Sequence, residues 1–217
     1  MRDSIHQDYF ERIAGEFDGH YRERKGPLTR VVDRLFRQGM VQRFRYLTEN
    51  VRWEGERVLD VGCGPGHYVA ALLERGASRV VGIDFAPAMI ELARSHLRRR
   101  GVEGRYRLVV GCFLETALSP DFDTVLAIGY FDYIVRAEDL DRHFQRMLEL
   151  SRSRVVASFP YRWSFKTLPR WVWLSLRGCP VRFYSTKEVV GLVQRSGLSR
   201  FRLERLSGTI LLIAEKP

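Results

Sequence analysis

Two carboxylates and three glycines carry the most legible chemistry in this chain. Asp60 opens the run Asp60-Val61-Gly62-Cys63-Gly64-Pro65-Gly66, and Asp84 closes a second run, Val80-Val81-Gly82-Ile83. An ionised carboxylate only accepts hydrogen bonds, so an acid at a strand end suits the paired donors of a ribose diol. Glycine has no side chain and tolerates positive φ, so alternating glycines let a ligand lie directly against backbone.

Stepping outward, the elements that must hold these residues are short and apolar. Val58, Leu59 and Val61 read as a parallel strand covered on both faces. Tyr68, Val69, Leu72 and Leu73 form one face of a helix over 67–75. The free amides at its start are expected to receive an anionic group. Arg79 to Asp84 is the second strand. Pro87 starts a helix whose apolar face is Ala88, Met89, Leu92, Ala93 and Leu97, and Arg98-Arg99-Arg100-Gly101 ends it.

The glycine pattern is not the dinucleotide motif Gly-x-Gly-x-x-Gly, because position 67 is His. With Asp60 ahead and Asp84 downstream, it closely resembles the first motif of the class I S-adenosylmethionine-dependent methyltransferases. The resemblance spans roughly 52–217 and is sharpest over 58–90. It implies an α/β fold, a doubly wound Rossmann-like sheet of seven strands. That sheet is mostly parallel with an antiparallel C-terminal hairpin, helices on both faces and an N-terminal helical lid. It also implies S-adenosyl-L-methionine as cofactor, held by Asp60, Gly62, Cys63, Gly64 and Gly66, with Asp84 on the ribose. Phe85, Ala86 and Met89 would flank the adenine, followed by Cys112 and Phe113 after the third strand and Ile128 and Gly129 at the end of the fourth. Many members carry Asp where Cys112 stands, so here a backbone group or another side chain must serve.

The remaining segments read in order. Ile5, Tyr9, Ile13 and Phe17 recur at helical spacing over 5–24, and Gly26-Pro27 breaks the pattern. A second helix runs from about Leu28 to Asn50, with Gly39 as a place where it divides. Strands follow over 106–110, 124–129 and 155–159, and Phe122-Asp123 introduces the second of them in the manner of the family's fourth motif. Glu138 to Leu150 is helical. Between 160 and 184, Tyr161, Trp163, Phe165, Leu168, Trp171, Trp173, Leu174 and Leu176 alternate with Arg162, Lys166, Arg170, Arg177 and Arg182. This reads as a helical cap packed onto the domain, which through the resemblance would help build the substrate pocket, or as a surface for a membrane or for bases. Ser185-x-x-Glu188 has the form of a capping box, with Ser185 or Thr186 as the cap. The end of the chain is a hairpin about Ser207-Gly208.

The chain has 217 residues, enough for one domain. We divide it into a lid (1–51), a cofactor-binding half (52–159), a substrate-cap insertion (160–184) and a C-terminal helix and β-hairpin (185–217). The net charge of +10 favours an anionic small molecule, nucleic acid or a transient contact with an anionic membrane surface. Three cysteines without a Cys-x-x-Cys pair and five scattered histidines indicate neither a disulfide framework nor a metal site. The first residues lack a signal-peptide core, which makes the cytoplasm the expected location.

Methyl transfer from a sulfonium is an in-line displacement, served mainly by positioning and by exclusion of water. An oxygen nucleophile also needs a base, for which Asp132, His143 and Tyr130 are the candidates. His20, Tyr21, Tyr133 and Tyr161 supply further titratable groups. Asp132 falls on the loop after the fourth strand, and His143 falls on a helix where a solvent-facing histidine is the ordinary case. Through the resemblance, Tyr9, Phe17, Tyr21, Tyr130, Tyr133 and Tyr161 would line the acceptor pocket. The reading is a methyltransferase acting on a small molecule. The alternatives are a tRNA or other nucleic-acid methyltransferase and a non-catalytic cofactor-binding scaffold. No Asn-Pro-Pro-Tyr motif follows the fourth strand, which disfavours the nucleic-acid alternative.

Overall fold

A computed structural model describes residues 27–216 except 103, 166 and 177; for 27–38, 168, 170 and 173 it describes the backbone alone. The helix expected over 5–24, His20 and the lid residues Tyr9, Phe17 and Tyr21 therefore lie outside the described residues. The first described helix, α1 (Pro27–Asn50), leads into β1 (Arg57–Val61), α2 (His67–Glu74), β2 (Arg79–Asp84), α3 (Pro87–Arg100) and β3 (Tyr106–Val110). Then come β4 (Phe122–Ala127), a 3-10 turn (Phe131–Tyr133), α4 (Ala137–Leu150) and β5 (Ser151–Pro160). The chain closes with α5 (Thr167–Ser175), α6 (Thr186–Arg195), β6 (Arg200–Leu206) and β7 (Thr209–Glu215).

The strands form one sheet in the order β3-β2-β1-β4-β5-β7-β6. All neighbours are parallel except β7, which runs antiparallel to both β5 and β6. This is the doubly wound, mostly parallel sheet expected from the sequence. After β1 the chain steps outward to β2 and β3, then returns across β1 to β4. The carboxyl ends of β1 and β4 thus part where the strand order reverses, and ligands of open α/β sheets bind at such a point.

Burial on both faces explains why the central strands read as apolar runs. One face packs on α4 and α6 through Val125, Phe144, Met147, Val155, Val189 and Leu192. The other packs on α2 and α3 through Val58, Val69, Leu72, Val80, Ile90 and Leu97. Local signals set the element ends. Pro87 stands in the first turn of α3, and Gly101 caps its end at φ 65°. Ser185 and Glu188 exchange the two bonds of a capping box at α6, which selects Ser185 over Thr186.

Three boundaries differ from expectation; the first is β4, which runs Phe122–Ala127, two residues earlier at each end than 124–129. Gly39 does not divide α1, which continues from Pro27 to Asn50. There a Cβ would lie 2.9 Å from the backbone oxygen of Ser207, so the glycine lets α1 cross close over the β6–β7 turn. β5 begins at Ser151, well before Val155, because its first residues pair with β4 through a register shift.

Candidate cofactor and acceptor site

The site is built at the carboxyl ends of β1, β2, β4 and β5. Gly62, Gly64 and Gly66 all have positive φ, at 67°, 49° and 75°. Gly62 is doubly constrained, because a Cβ there would lie 2.8 Å from Cδ2 of Tyr130. The loop is held from within. The amides of Gly62 and Cys63 both donate to the carbonyl of Ile83, at 2.8 and 3.1 Å, and the Gly66 amide donates to the Cys63 carbonyl at 3.0 Å. The Gly64 amide donates to Asp84 Oδ2 at 2.9 Å. Pro65 has no N–H. Every donor from 62 to 66 is therefore engaged inside the protein. The loop itself offers open backbone and carbonyl oxygens, not a nest of amides, while the anion expected at the start of α2 concerns the amides that follow the loop.

The acids behave accordingly. Asp60 is 2% exposed. Its Oδ2 is buried without a hydrogen-bond partner among the described residues. Burial pushes its carboxyl up to about 7, with the charge of Asp84 adding to the effect. Asp84 is also buried, and burial raises its carboxyl, opposed by bonds from the amides of Ala86, Gly64 and Phe85. Its Oδ1 accepts from the Ala86 amide at 3.0 Å. Helix α3 has no side-chain N-cap, so Asp84 tethers the glycine loop to the β2 end and does not cap the helix. A carboxylate has about four acceptor positions, so Asp84 keeps capacity for the two hydroxyls of a ribose.

The other expected cofactor residues fall into three groups. Cys63 faces the sheet, its sulfur 2.9 Å from where a Cβ on Gly82 would stand; burial, then Asp60 and Asp84, keep it a neutral thiol. Phe85 and Met89 pack with Ala86, Leu174 and Cys179, under the cap formed by α5 and the residues after it. Cys112 is half-buried, and its carbonyl accepts from the amide and hydroxyl of Thr116 at 2.9 and 2.7 Å. Phe113 is buried against Tyr130 and His143. Ile128 is partly buried beside the core on the α2 face, and the Gly129 amide donates to Ser158 Oγ at 2.8 Å.

The acceptor-side candidates do not converge on one group. Tyr130 lies over Gly62, and its hydroxyl pairs with His143 Nδ1 at 2.6 Å. His143 is buried, contrary to the expectation of a surface histidine, because α4 turns it inward beneath Phe113. Asp132 lies in the 3-10 turn, not on an open loop, and is 1% exposed; its carbonyl accepts from the Arg182 amide at 2.9 Å. Tyr133 packs against the Ala86–Met89 cluster. Tyr161 points to the hairpin, where Arg205 donates to its hydroxyl at 2.9 Å and covers its ring. Tyr184, absent from the expected residues, is fully buried and donates to the carbonyls of Phe131 and Ile134 at 3.0 and 3.1 Å, fixing the turn after β4.

Sequence reasoning also missed Arg43. Its Nη1 donates to Ser158 Oγ at 3.4 Å, and its Nε is buried without a partner among the described residues. Its positive charge also reaches Tyr68 at the start of α2, where burial raises the phenol to about 12 against the pull of Arg43. Nothing local marks Arg43, because its contacts are far away in sequence. Among the described residues, no group of three His, Cys, Asp or Glu side chains is placed to hold a metal ion.

Comparison with known proteins shows what this fold and this site are similar to. Residues 58–154 match the family described as "Methyltransferase domain". The ubiquinone biosynthesis O-methyltransferase of Pseudomonas entomophila (strain L48) is 32% identical over 107 residues, which is 49% of this chain and 46% of that protein. Its counterpart in Stutzerimonas stutzeri (strain A1501) is 32% identical over 92 residues, 42% of this chain and 39% of that protein. The chain thus spans about half the length or less of the curated relatives it matches. Among solved structures, magnesium protoporphyrin IX methyltransferase from Synechocystis PCC 6803 with bound S-adenosylmethionine superposes with a TM-score of 0.76. That match has 18% identity and covers 100% of this chain and 98% of that one. The pyocyanin biosynthetic protein PhzM superposes with a TM-score of 0.69 at 24% identity, covering 82% of this chain and 55% of that one. These two likenesses show the fold. The methyltransferase-domain match covers residues 58–154, the stretch that carries the glycine turn and both acids.

Proposed function

We propose that this protein transfers the methyl group of S-adenosylmethionine to an oxygen of a small-molecule acceptor. The observation that carries the reading is the buried, unmet carboxylate oxygen of Asp60 beneath a glycine loop whose donors are all engaged. A phosphate-bearing dinucleotide needs free amides at such a turn. A cationic nucleoside needs acceptors and open space, which are what the loop offers. When bound, S-adenosylmethionine supplies an electrophilic methyl on a sulfonium, together with an ammonium and a carboxylate.

The chain's residues fit those groups. Asp60 holds the cationic amino-acid portion, and Asp84 holds the ribose hydroxyls. Phe85 and Met89, under the cap, contain the adenine. Arg43 reaches over the mouth and pairs with the amino-acid carboxylate, which its unmet Nε and long stem allow. The Tyr130–His143 pair pins the turn after β4 against Gly62, so the acceptor approaches along a fixed direction. The curated relatives are named O-methyltransferases, which supports oxygen as the nucleophile and a small acceptor over nucleic acid.

Titration calorimetry tests the reading with S-adenosylhomocysteine and NAD. The expected result is binding of the first and none of the second, with ligand linkage giving about 2.7 kcal/mol of stabilisation at a hundredfold excess over Kd. Arg43→Leu should weaken S-adenosylhomocysteine by roughly 1.5–3 kcal/mol, the range for a charged hydrogen bond, and leave the melting temperature of the free protein unchanged. Binding of NAD with no response to S-adenosylhomocysteine overturns the proposal.

A further inference from the structure

The cap after β5 is apolar on two opposite sides. Its inner side, Leu174 and Cys179, is buried on Ala86 and Met89. On its outer side Trp163 is 75% exposed, Trp171 50% and Leu176 82%. Large apolar side chains left this exposed along one short segment mark an interaction site. The cap is anchored at its entry by Thr167, whose hydroxyl donates to the Tyr161 carbonyl at 2.7 Å. At its exit the Arg182 amide donates to the Asp132 carbonyl at 2.9 Å.

Charge decides what covers the face. Between Pro160 and Ser185 the chain has five Lys and Arg residues and no Asp or Glu, and two of the five, Arg162 and Arg182, pair with Glu188 of α6. Three of the protein's four tryptophans, at 163, 171 and 173, fall in this same stretch. Tryptophan with lysine and arginine, and no acid, is the composition of a segment that lies at the boundary between lipid headgroups and acyl chains. No helix among the described residues is long and apolar enough to cross a membrane, so the contact is with a surface.

We propose that the outer face of this cap, centred on Trp163, Trp171 and Leu176, docks on an anionic lipid surface. The docking stands independently of the enzymatic reading. Its consequence, that an apolar acceptor would reach the site from the bilayer, rests on that reading.

The experiment is flotation of the full-length protein with vesicles of phosphatidylcholine alone and of phosphatidylcholine mixed with phosphatidylglycerol, at low and high salt. The wild type should float with the anionic vesicles, less at high salt and little with neutral ones. The triple variant Trp163→Ser, Trp171→Ser and Leu176→Ser should partition roughly tenfold or more weakly, in line with the apolar area it removes. It should keep its melting temperature and its response to S-adenosylhomocysteine, which separates lost docking from lost folding. Failure of the wild type to bind anionic vesicles, or equal binding by the folded variant, overturns the proposal. So does a wild-type dimer in light scattering that the variant dissolves, since the face would then serve a second copy of this chain. If Trp163 and Trp171 enter the lipid, their emission shifts to the blue on anionic vesicles; an unchanged spectrum also counts against docking.

Discussion

The two sides of the sheet's carboxyl edge are built by different logic. On the β1–β2 side, Asp60, Gly62, Gly64, Gly66 and Asp84 lie on one continuous strand–turn–helix–strand unit. Their hydrogen bonds span at most about twenty residues, as in the tie between Gly64 and Asp84. On the β4–β5 side, the same few ångströms are shared by Arg43, Gly129, Tyr130, His143, Ser158 and Tyr184. Arg43 and Ser158 meet across 115 positions of sequence. Local geometry suffices to specify the first side. The second side is assembled by packing of segments distant in sequence. The two sides meet where Tyr130 covers Gly62, and that contact is the best place to break the comparison.

Gly62→Val should have the largest effect. A β-branched residue at φ 67° and a clash with Tyr130 add about 1–2 kcal/mol of backbone strain to about 1–3 kcal/mol of overpacking. Gly129→Ala is the control from the other side. It has φ 75° with nothing within 4 Å of an added Cβ, so only the backbone cost of about 1–2 kcal/mol applies. Chemical denaturation of both, with Gly62→Val repeated in a Tyr130→Ala background, checks the account. The steric part should disappear in the double variant, and strict additivity would show that Tyr130 is not what Gly62 accommodates.

Asp60→Asn comes next, because it separates stability from binding. Asp60 has its carboxyl raised from 3.8 to about 7. Its contribution to stability is therefore fully present below about 4 and is lost as pH rises through about 7. The advantage of wild type over Asp60→Asn should shrink across that window, by a few kcal/mol at most, at ~1.4 kcal/mol per unit. Cofactor binding runs the other way. The ligand's ammonium takes the ionised acid, so affinity for S-adenosylhomocysteine should rise with pH up to about 7 and then flatten, and the Asn variant should lose that slope. Melts and calorimetry from pH 5 to 8.5 measure both; a cofactor affinity independent of pH in the wild type would remove Asp60 from the ligand.

Asp84→Ala should weaken S-adenosylhomocysteine by roughly 1–3 kcal/mol. It should also lower the melting temperature modestly, since the loop tether at Gly64 is cut. Unchanged affinity with a lowered melting temperature would leave Asp84 a tether alone.

The smallest effect belongs to the β4–β5 side. Tyr130→Phe removes one buried hydrogen bond to His143 and should cost about 1 kcal/mol of stability, with little change in cofactor affinity. A large loss of affinity there would mean that the two sides are one site, not two.

The sequence by itself determined the sheet, the glycine turn and the two acids. Period, apolar runs and the φ requirement of glycine are local properties, and neighbouring residues are enough to express them. It also marked the capping box at Ser185 and the unusual composition of 160–184. Tertiary structure decided what each of these does. It engaged the loop amides with the carbonyl of Ile83 and the carboxylate of Asp84. It buried His143 and Asp132, because α4 and the 3-10 turn face the core, and no spacing rule distinguishes that from exposure. It brought Arg43 over Ser158, and it left Trp163, Trp171 and Leu176 facing outward. Side chains from distant segments become neighbours only when the sheet closes their loops, and the sequence near each one carries no trace of the partner it will meet.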